Sequence, residues 1–206
     1  VQGLSRDGGL LLPEIIPQLA PGAIEALARL PYPARAAEVM AMYLDEFTAD
    51  ELRGYAEKAY GPNKFDTPAV APLVKVGERT HVLELWHGPT CAFKDMALQM
   101  LPYLLTASLR KTGETRTACI LVATSGDTGK AALEGFRDVP HTKILVFYPR
   151  DGVSDVQKLQ MVTQEGGNVG VCAVEGNFDD AQTGVKKIFS DPAVREAMNA
   201  RGCFFS

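Results

Sequence analysis

The sequence predicts an α/β protein: an open, mostly parallel sheet with flanking helices, preceded by a mixed region of helices and short strands. Three observations indicate this fold class. From residue 117 onward, apolar runs of strand length alternate with helical patterns. Many of the strand-type runs are rich in β-branched residues, and glycine-containing turns separate several of the segments. Strands that alternate with helices in this way pair in parallel, because each connection must cross back over the sheet.

Residues 1–95 are predicted to form the mixed helical and short-strand domain. Thr48 and Glu51 have the spacing of a capping box, which marks the start of a helix. Helices are expected at about 22–30, 33–47 and 48–60, and short strands at about 73–76 and 81–86.

Residues 96–206 are predicted to form the open α/β domain. We expect a helix from Met96 to Thr112 that is kinked at Pro102, because proline removes the hydrogen bond to residue 98. Strands are then expected at 117–123, 144–148 and 169–174, and a beginning strand at 203–206. Helices are expected at about 128–137, 153–164 and 178–189, and from Pro192 onward. Asp191 before Pro192 is the clearest helix start in the chain.

Composition excludes several classes of function. The chain has 206 residues, of which 46% are apolar and 22% charged, as in ordinary soluble globular proteins. The net charge is -4 and no basic run is present, so neither nucleic acid nor an anionic membrane is expected as a partner. Four dispersed cysteines and three isolated histidines predict a reducing, cytoplasmic setting without a metal site. No apolar stretch reaches membrane-spanning length.

The stretch from Trp86 to Asp95 contains a candidate catalytic residue, Lys94. A short apolar run ends there in a Gly-Pro turn, and a helical pattern begins at Met96. Desolvation and the positive end of a helix dipole both disfavour a protonated amine. An unprotonated lysine is the form that attacks a carbonyl carbon. The alternative interpretation is an ordinary solvent-facing lysine beside Asp95.

A second candidate site follows the first predicted strand of the sheet, in the segment A-T-S-G-D-T-G-K from Ala123 to Lys130. Its glycines, hydroxyls and free N–H groups could bind an anion at a helix start. A nucleotide-binding P-loop is excluded, because that motif requires a glycine at Thr124 and a hydroxyl at Ala131. The alternative is a purely structural helix cap formed by Asp127 or Thr128.

These two segments together resemble the pyridoxal-phosphate-dependent threonine synthases. The motifs that carry the resemblance are W-H-G-P-T-C-A-F-K-D and A-T-S-G-D-T-G. Further stretches also match, in order, at residues 3–10, 148–161 and 174–180. The resemblance spans nearly the whole chain.

The resemblance implies a fold of the tryptophan-synthase-β group and a lyase activity that eliminates phosphate. It implies conversion of O-phospho-L-homoserine and water to L-threonine and phosphate, with pyridoxal 5'-phosphate as cofactor. The family's Schiff-base lysine falls on Lys94. Ser125, Gly126, Asp127 and Thr128 correspond to the loop that receives the substrate carboxylate, and Asp127 also to a side chain near the cofactor's 3-hydroxyl. Phe93 is expected in the core, and residues 177–180 are expected to cap a helix.

The chain departs from the family pattern in one respect. The family's glycine-rich loop for the cofactor phosphate lies later in its sequence, and nothing after residue 176 resembles it. We therefore expect residues 1–206 to be the amino-terminal part of a longer enzyme, inactive without the rest of its own chain. Two alternatives stay open: a threonine-synthase-like phospholyase that releases a keto acid, and a non-catalytic α/β module that needs a partner.

Overall fold

A computed structural model describes residues 11–205, so the motif at residues 3–10 lies outside the described part. The chain forms two compact units that meet in sequence between Met100 and Leu101. Each unit is described by itself below.

The first unit combines short helices with a two-stranded antiparallel sheet. Helix α3 (Ala49–Tyr60) begins as its capping box predicts. Glu51 N donates to Thr48 Oγ1 over 3.2 Å, and Thr48 N donates to Glu51 Oε2 over 2.9 Å. Its apolar face, with Leu52 fully buried, forms much of the core. The elements are α1 (Ala23–Ala28), α2 (Tyr32–Ala41), α3 (Ala49–Tyr60), β1 (Leu73–Lys75), β2 (His81–Leu83) and α4 (Asp95–Leu98).

The single kinked helix expected from Met96 to Thr112 is wrong. Helix α4 ends at Leu98 after four residues, and α5 (Leu101–Lys111) begins after a turn at Gln99 and Met100. Pro102 lies in the first turn of α5, where a missing N–H costs nothing. Proline therefore separates two helices here instead of bending one.

The second unit is an open parallel sheet with helices, as predicted. The strands are β3 (Thr117–Ala123), β4 (Thr142–Pro149), β5 (Val169–Val174) and β6 (Cys203–Phe205). The helices after α5 are α6 (Asp127–Phe136), α7 (Asp155–Val162), α8 (Phe178–Ser190) and α9 (Pro192–Ala200). Asn177 and Asp180 form the expected cap of α8, and Asp191 caps α9.

The order of the strands in this sheet is β5-β4-β3-β6. The chain runs from β3 outward through β4 and β5, and then returns to pair β6 with the other side of β3. The order thus reverses between β3 and β6. In open α/β sheets ligands bind at the carboxyl ends of strands at such a reversal. The loop that follows β3 occupies this position.

Among residues 11–205, no helix combines the length and apolar character needed to cross a membrane.

Candidate functional site

Lys94 lies at the N-cap position of α4 and is half-buried. Its Nζ lies over the ring of Phe93, 4.7 Å from the centroid, which is cation–π geometry. Within the described residues the amine has no hydrogen bond or ion pair. Phe93 was expected in the core, and this is wrong because its side chain is 55% exposed. The amine of Lys94 is therefore held by an exposed aromatic face and remains available for chemistry.

Asp95 anchors the turn that presents Lys94. Its fully buried carboxylate accepts hydrogen bonds from Thr90 N at Oδ2 and from Thr90 Oγ1 at Oδ1, both 2.8 Å long. Burial raises the pKa of Asp95, and the hydrogen bonds from Thr90 oppose that rise. Gly88 packs against the same carboxylate, since a Cβ there would come within 2.6 Å of Asp95 Oδ2. The buried carboxylate of Asp95 thus fixes the conformation of residues 88–95.

His87 fixes the start of this turn. Its Nδ1 lies 2.6 Å from Asp66 Oδ1, and its Nε2 lies 2.7 Å from Glu84 Oε2. Hydrogen bonds to Glu84 and then Asp66 raise the pKa of His87 above its usual range. The backbone adds a further bond, from Asp66 N to His87 O, over 3.1 Å. The sequence contains no local sign of this role for His87, because Asp66 lies 21 positions away in the chain.

The loop after β3 is organised by the buried side chain of Thr124. Thr124 Oγ1 accepts hydrogen bonds from Gly126 N over 3.0 Å and from Gly129 N over 2.9 Å. Gly126 is the N-cap of α6 and has a φ of +150°, which favours glycine. The alternative in which Asp127 or Thr128 caps α6 is wrong. The N-cap residue is Gly126, which has no side chain, and Asp127 and Thr128 are the first two residues of the helix.

The first turn of α6 keeps uncommitted hydrogen-bond donors. In residues 11–205, the backbone N–H groups of Ser125, Asp127 and Thr128 donate to no described acceptor. Ser125 and Asp127 are exposed and Thr128 is half-buried. Free N–H groups at the positive end of a helix, with two hydroxyls beside them, favour an anion. This loop can therefore bind a carboxylate or phosphate group.

Asp127 is held by Gln157, which lies in the matching stretch at residues 148–161 but is not among the predicted site residues. Gln157 Nε2 donates to Asp127 Oδ1 over 2.9 Å. Ser125, Gly126, Asp127 and Thr128 are thus gathered in one loop of the second unit, whereas Lys94 belongs to the first unit. Only local motifs were visible in the sequence, and a contact over 30 positions carries no local signal.

Known proteins are similar to this chain over both of its units. The family model described as "Threonine synthase N terminus" matches residues 1–60. Threonine synthase from Pseudomonas aeruginosa is 45% identical over 190 residues, which cover 92% of this chain and 40% of the relative. Threonine synthase from Saccharomyces cerevisiae is 36% identical over 202 residues, with 93% and 39% covered.

Solved structures give the same result. The crystal structure of PLP-bound threonine synthase from Brucella melitensis has a TM-score of 0.86 at 40% identity, covering 99% of this chain and 43% of that one. Threonine synthase from Escherichia coli has a TM-score of 0.81 at 30% identity, with 98% and 44% covered. The chain thus spans about 40% of the length of the curated threonine synthases that it matches. Over nearly its whole length, the chain is therefore similar in sequence and in fold to the amino-terminal part of threonine synthases.

Proposed function

We propose that this chain supplies the amino-terminal part of a pyridoxal-phosphate-dependent threonine synthase. The reaction is the conversion of O-phospho-L-homoserine and water to L-threonine and phosphate. The observation that carries the proposal is Lys94: a lysine amine without a hydrogen-bond partner among the described residues, presented by a turn closed around Asp95. It lies in a chain that is 45% identical to a threonine synthase.

The residues around Lys94 fit a cofactor that bears an aldehyde. The amine is uncommitted, and Phe93 beside it offers an exposed aromatic face. Pyridoxal phosphate, when bound, supplies the electron sink that this chemistry requires. Lys94 would hold the cofactor and would then move protons at the substrate's α and β carbons as phosphate leaves.

The loop after β3 would bind and orient the substrate. The free N–H groups of Ser125, Asp127 and Thr128 suit a carboxylate, and the hydroxyls of Ser125 and Thr128 add further donors. Gly126 is buried against Gln157, and its part would be to shape the loop through its φ of +150°. Asp127 would face the cofactor's 3-hydroxyl.

The proposed partner is therefore a small molecule, and the reaction requires neither nucleic acid nor a membrane. We place the protein in the cytoplasm. The residues that hold the cofactor's phosphate and face its pyridine nitrogen would come from the rest of the polypeptide. We propose that this chain by itself does not turn over.

Product analysis tests the reaction. The protein translated from the full reading frame that contains residues 1–206 is incubated with O-phospho-L-homoserine and pyridoxal phosphate. We expect L-threonine and inorganic phosphate in equal amounts. A keto acid released with the phosphate would instead identify a phospholyase. If neither phosphate nor an amino-acid product forms, the chain is a non-catalytic module and the proposal is wrong.

A further inference from the structure

We propose that Gln157 is a positioning residue that keeps the loop after β3 open to an anion. It does so by holding the Asp127 carboxylate away from the loop's own N–H groups. This inference rests on the proposed role of that loop, and the experiment below separates the two.

The amide of Gln157 has a fixed orientation. Gln157 belongs to the capping box of α7, in which Ser154 N and Ser154 Oγ both lie 3.2 Å from Gln157 Oε1. Gln157 N in turn donates to Ser154 Oγ over 3.3 Å. Because Oε1 is the acceptor in this cap, Nε2 points the other way, toward the Asp127 carboxylate. An ionised carboxylate only accepts hydrogen bonds, so donor and acceptor match.

The same amide packs on the loop itself. A Cβ at Gly126 would come within 2.5 Å of Gln157 Cδ. A side chain at position 126 would therefore displace this amide, and the φ of +150° there favours glycine in any case. Together with the hydrogen bond to Asp127, this contact ties the start of α7 to the start of α6, over 30 positions of sequence.

The hydrogen bond from Gln157 matters because Asp127 lies at the start of α6. Asp127 is the first residue of α6, and the N-cap residue Gly126 offers no side chain to the free N–H groups. A carboxylate in the first turn is attracted to those groups and to the positive end of the helix. If released, it would turn toward them, and a bound anion would then compete with a like charge. Gln157 prevents this competition because its hydrogen bond holds the Asp127 carboxylate away from those N–H groups.

The first arm of the test measures amide hydrogen exchange in the protein translated from the full reading frame that contains this chain. Asp127 and Thr128 N–H groups should exchange freely in the unaltered chain. In Gln157→Leu, their exchange should slow about three- to tenfold, as expected for one new hydrogen bond. Gln157→Glu keeps the cap acceptor of α7 and repels Asp127, so it should slow exchange as well. The matched control Gln160→Leu, one turn along the same helix, should leave these rates unchanged.

A second substitution shows whether the effect runs through Asp127. Asp127→Ala combined with Gln157→Leu should return the Thr128 N–H to free exchange, because no carboxylate remains to accept from it. A merely structural role of Gln157 would not be reversed in this way. Unchanged exchange at Asp127 and Thr128 in both Gln157 variants would overturn the inference.

The second arm titrates acetate, as a carboxylate probe, and follows the amide shifts of residues 125–128. Acetate should bind the unaltered chain, and its affinity for Gln157→Leu should be about three- to tenfold lower. The double variant should regain the affinity of the unaltered chain. If exchange behaves as expected but acetate never binds, Gln157 positions Asp127 and the proposed substrate role of the loop is wrong. If acetate binds equally well to the unaltered chain and to Gln157→Leu, the loop role stands and the inference about Gln157 fails.

Discussion

The amine of Lys94 lies over the exposed ring of Phe93, and this contact should slow the reaction of the amine with electrophiles. The contact lies 4.7 Å from the ring centroid. A cation–π contact at an exposed site stabilises the ammonium form by about 0.5–1 kcal/mol. Phe93→Leu should therefore raise the acetylation rate of Lys94 at neutral pH by about two- to fivefold. Peptide mass spectrometry, with the other lysines as internal references, measures this rate.

Phe93→Tyr provides the matched control for that experiment, because it keeps an aromatic face beneath the amine. Its Lys94 should react at the rate of the unaltered chain. Equal rates in the leucine and tyrosine variants would show that the ring does not hold the ammonium group.

His87 should make the stability of the first unit depend on pH. The Glu84 and Asp66 carboxylates raise its pKa in the folded chain, so folding favours the protonated ring. This contribution is fully present below the unfolded pKa of about 6.5 and is lost as pH rises through the higher folded pKa. The excess stability of the unaltered chain over His87→Gln should therefore be largest below about pH 6.5 and shrink as the pH rises above it. Denaturant unfolding at several pH values measures the difference.

The control is His81→Gln, at an exposed position of β2. Its stability should follow the pH curve of the unaltered chain. Parallel curves for His87→Gln and the unaltered chain would contradict a bridging role for protonated His87.

At the residue scale, the sequence was enough to identify Lys94 and the loop from Ser125 to Thr128 as candidates. Both belong to continuous motifs, whose glycines and neighbouring helix starts are visible locally. The residues that hold them were not identified, because the bonds of His87 to Asp66 and of Gln157 to Asp127 join distant positions. Polar pairs of this kind are created by the tertiary fold.

Helix α6 lies against the sheet at Gly129, where no side chain fits. A Cβ there would come within 2.5 Å of Thr124 Cγ2 and 2.9 Å of Val146 Cγ1. Overpacking costs about 1–3 kcal/mol, which exceeds the helix-propensity gain of up to about 1 kcal/mol for alanine. Gly129→Ala should therefore lower the free energy of unfolding by about 1–2 kcal/mol, as measured in denaturant.

Gly184→Ala in α8 is the matched control, since a Cβ at that position would meet nothing within 4 Å. It should raise the free energy of unfolding by about 0.5–1 kcal/mol. If both variants change stability by the same amount, close packing of α6 is not what requires glycine at 129.

At the element scale, capping chemistry was the most reliable guide. The structure confirms the predicted helix starts at Thr48 and Asp191. It also confirms the predicted cap of α8 by Asn177 and Asp180. The segment after Lys94 was predicted wrongly, because apolar periodicity continues through Pro102 while the backbone does not. A proline fits the first turn of a new helix as well as it fits a kink, and local sequence does not choose between them.

At the scale of the whole molecule, the alternation of strands and helices predicted a parallel sheet but not the order of its strands. The order depends on pairing between distant segments, such as Thr117 with Cys203. That pairing places the reversal of strand order beside β3, so the loop at Ser125 to Thr128 lies where open α/β sheets commonly bind ligands. The family motifs and the sheet topology thus point to the same loop independently.

The most direct test of the account is to find the lysine that holds the cofactor. The protein from the full reading frame is incubated with pyridoxal phosphate, reduced with borohydride, digested and mapped by mass spectrometry. The account predicts the cofactor label on Lys94, loss of the visible cofactor absorbance in Lys94→Ala, and retention of both in the surface control Lys75→Ala. A label on another lysine, with the absorbance retained in Lys94→Ala, would contradict it.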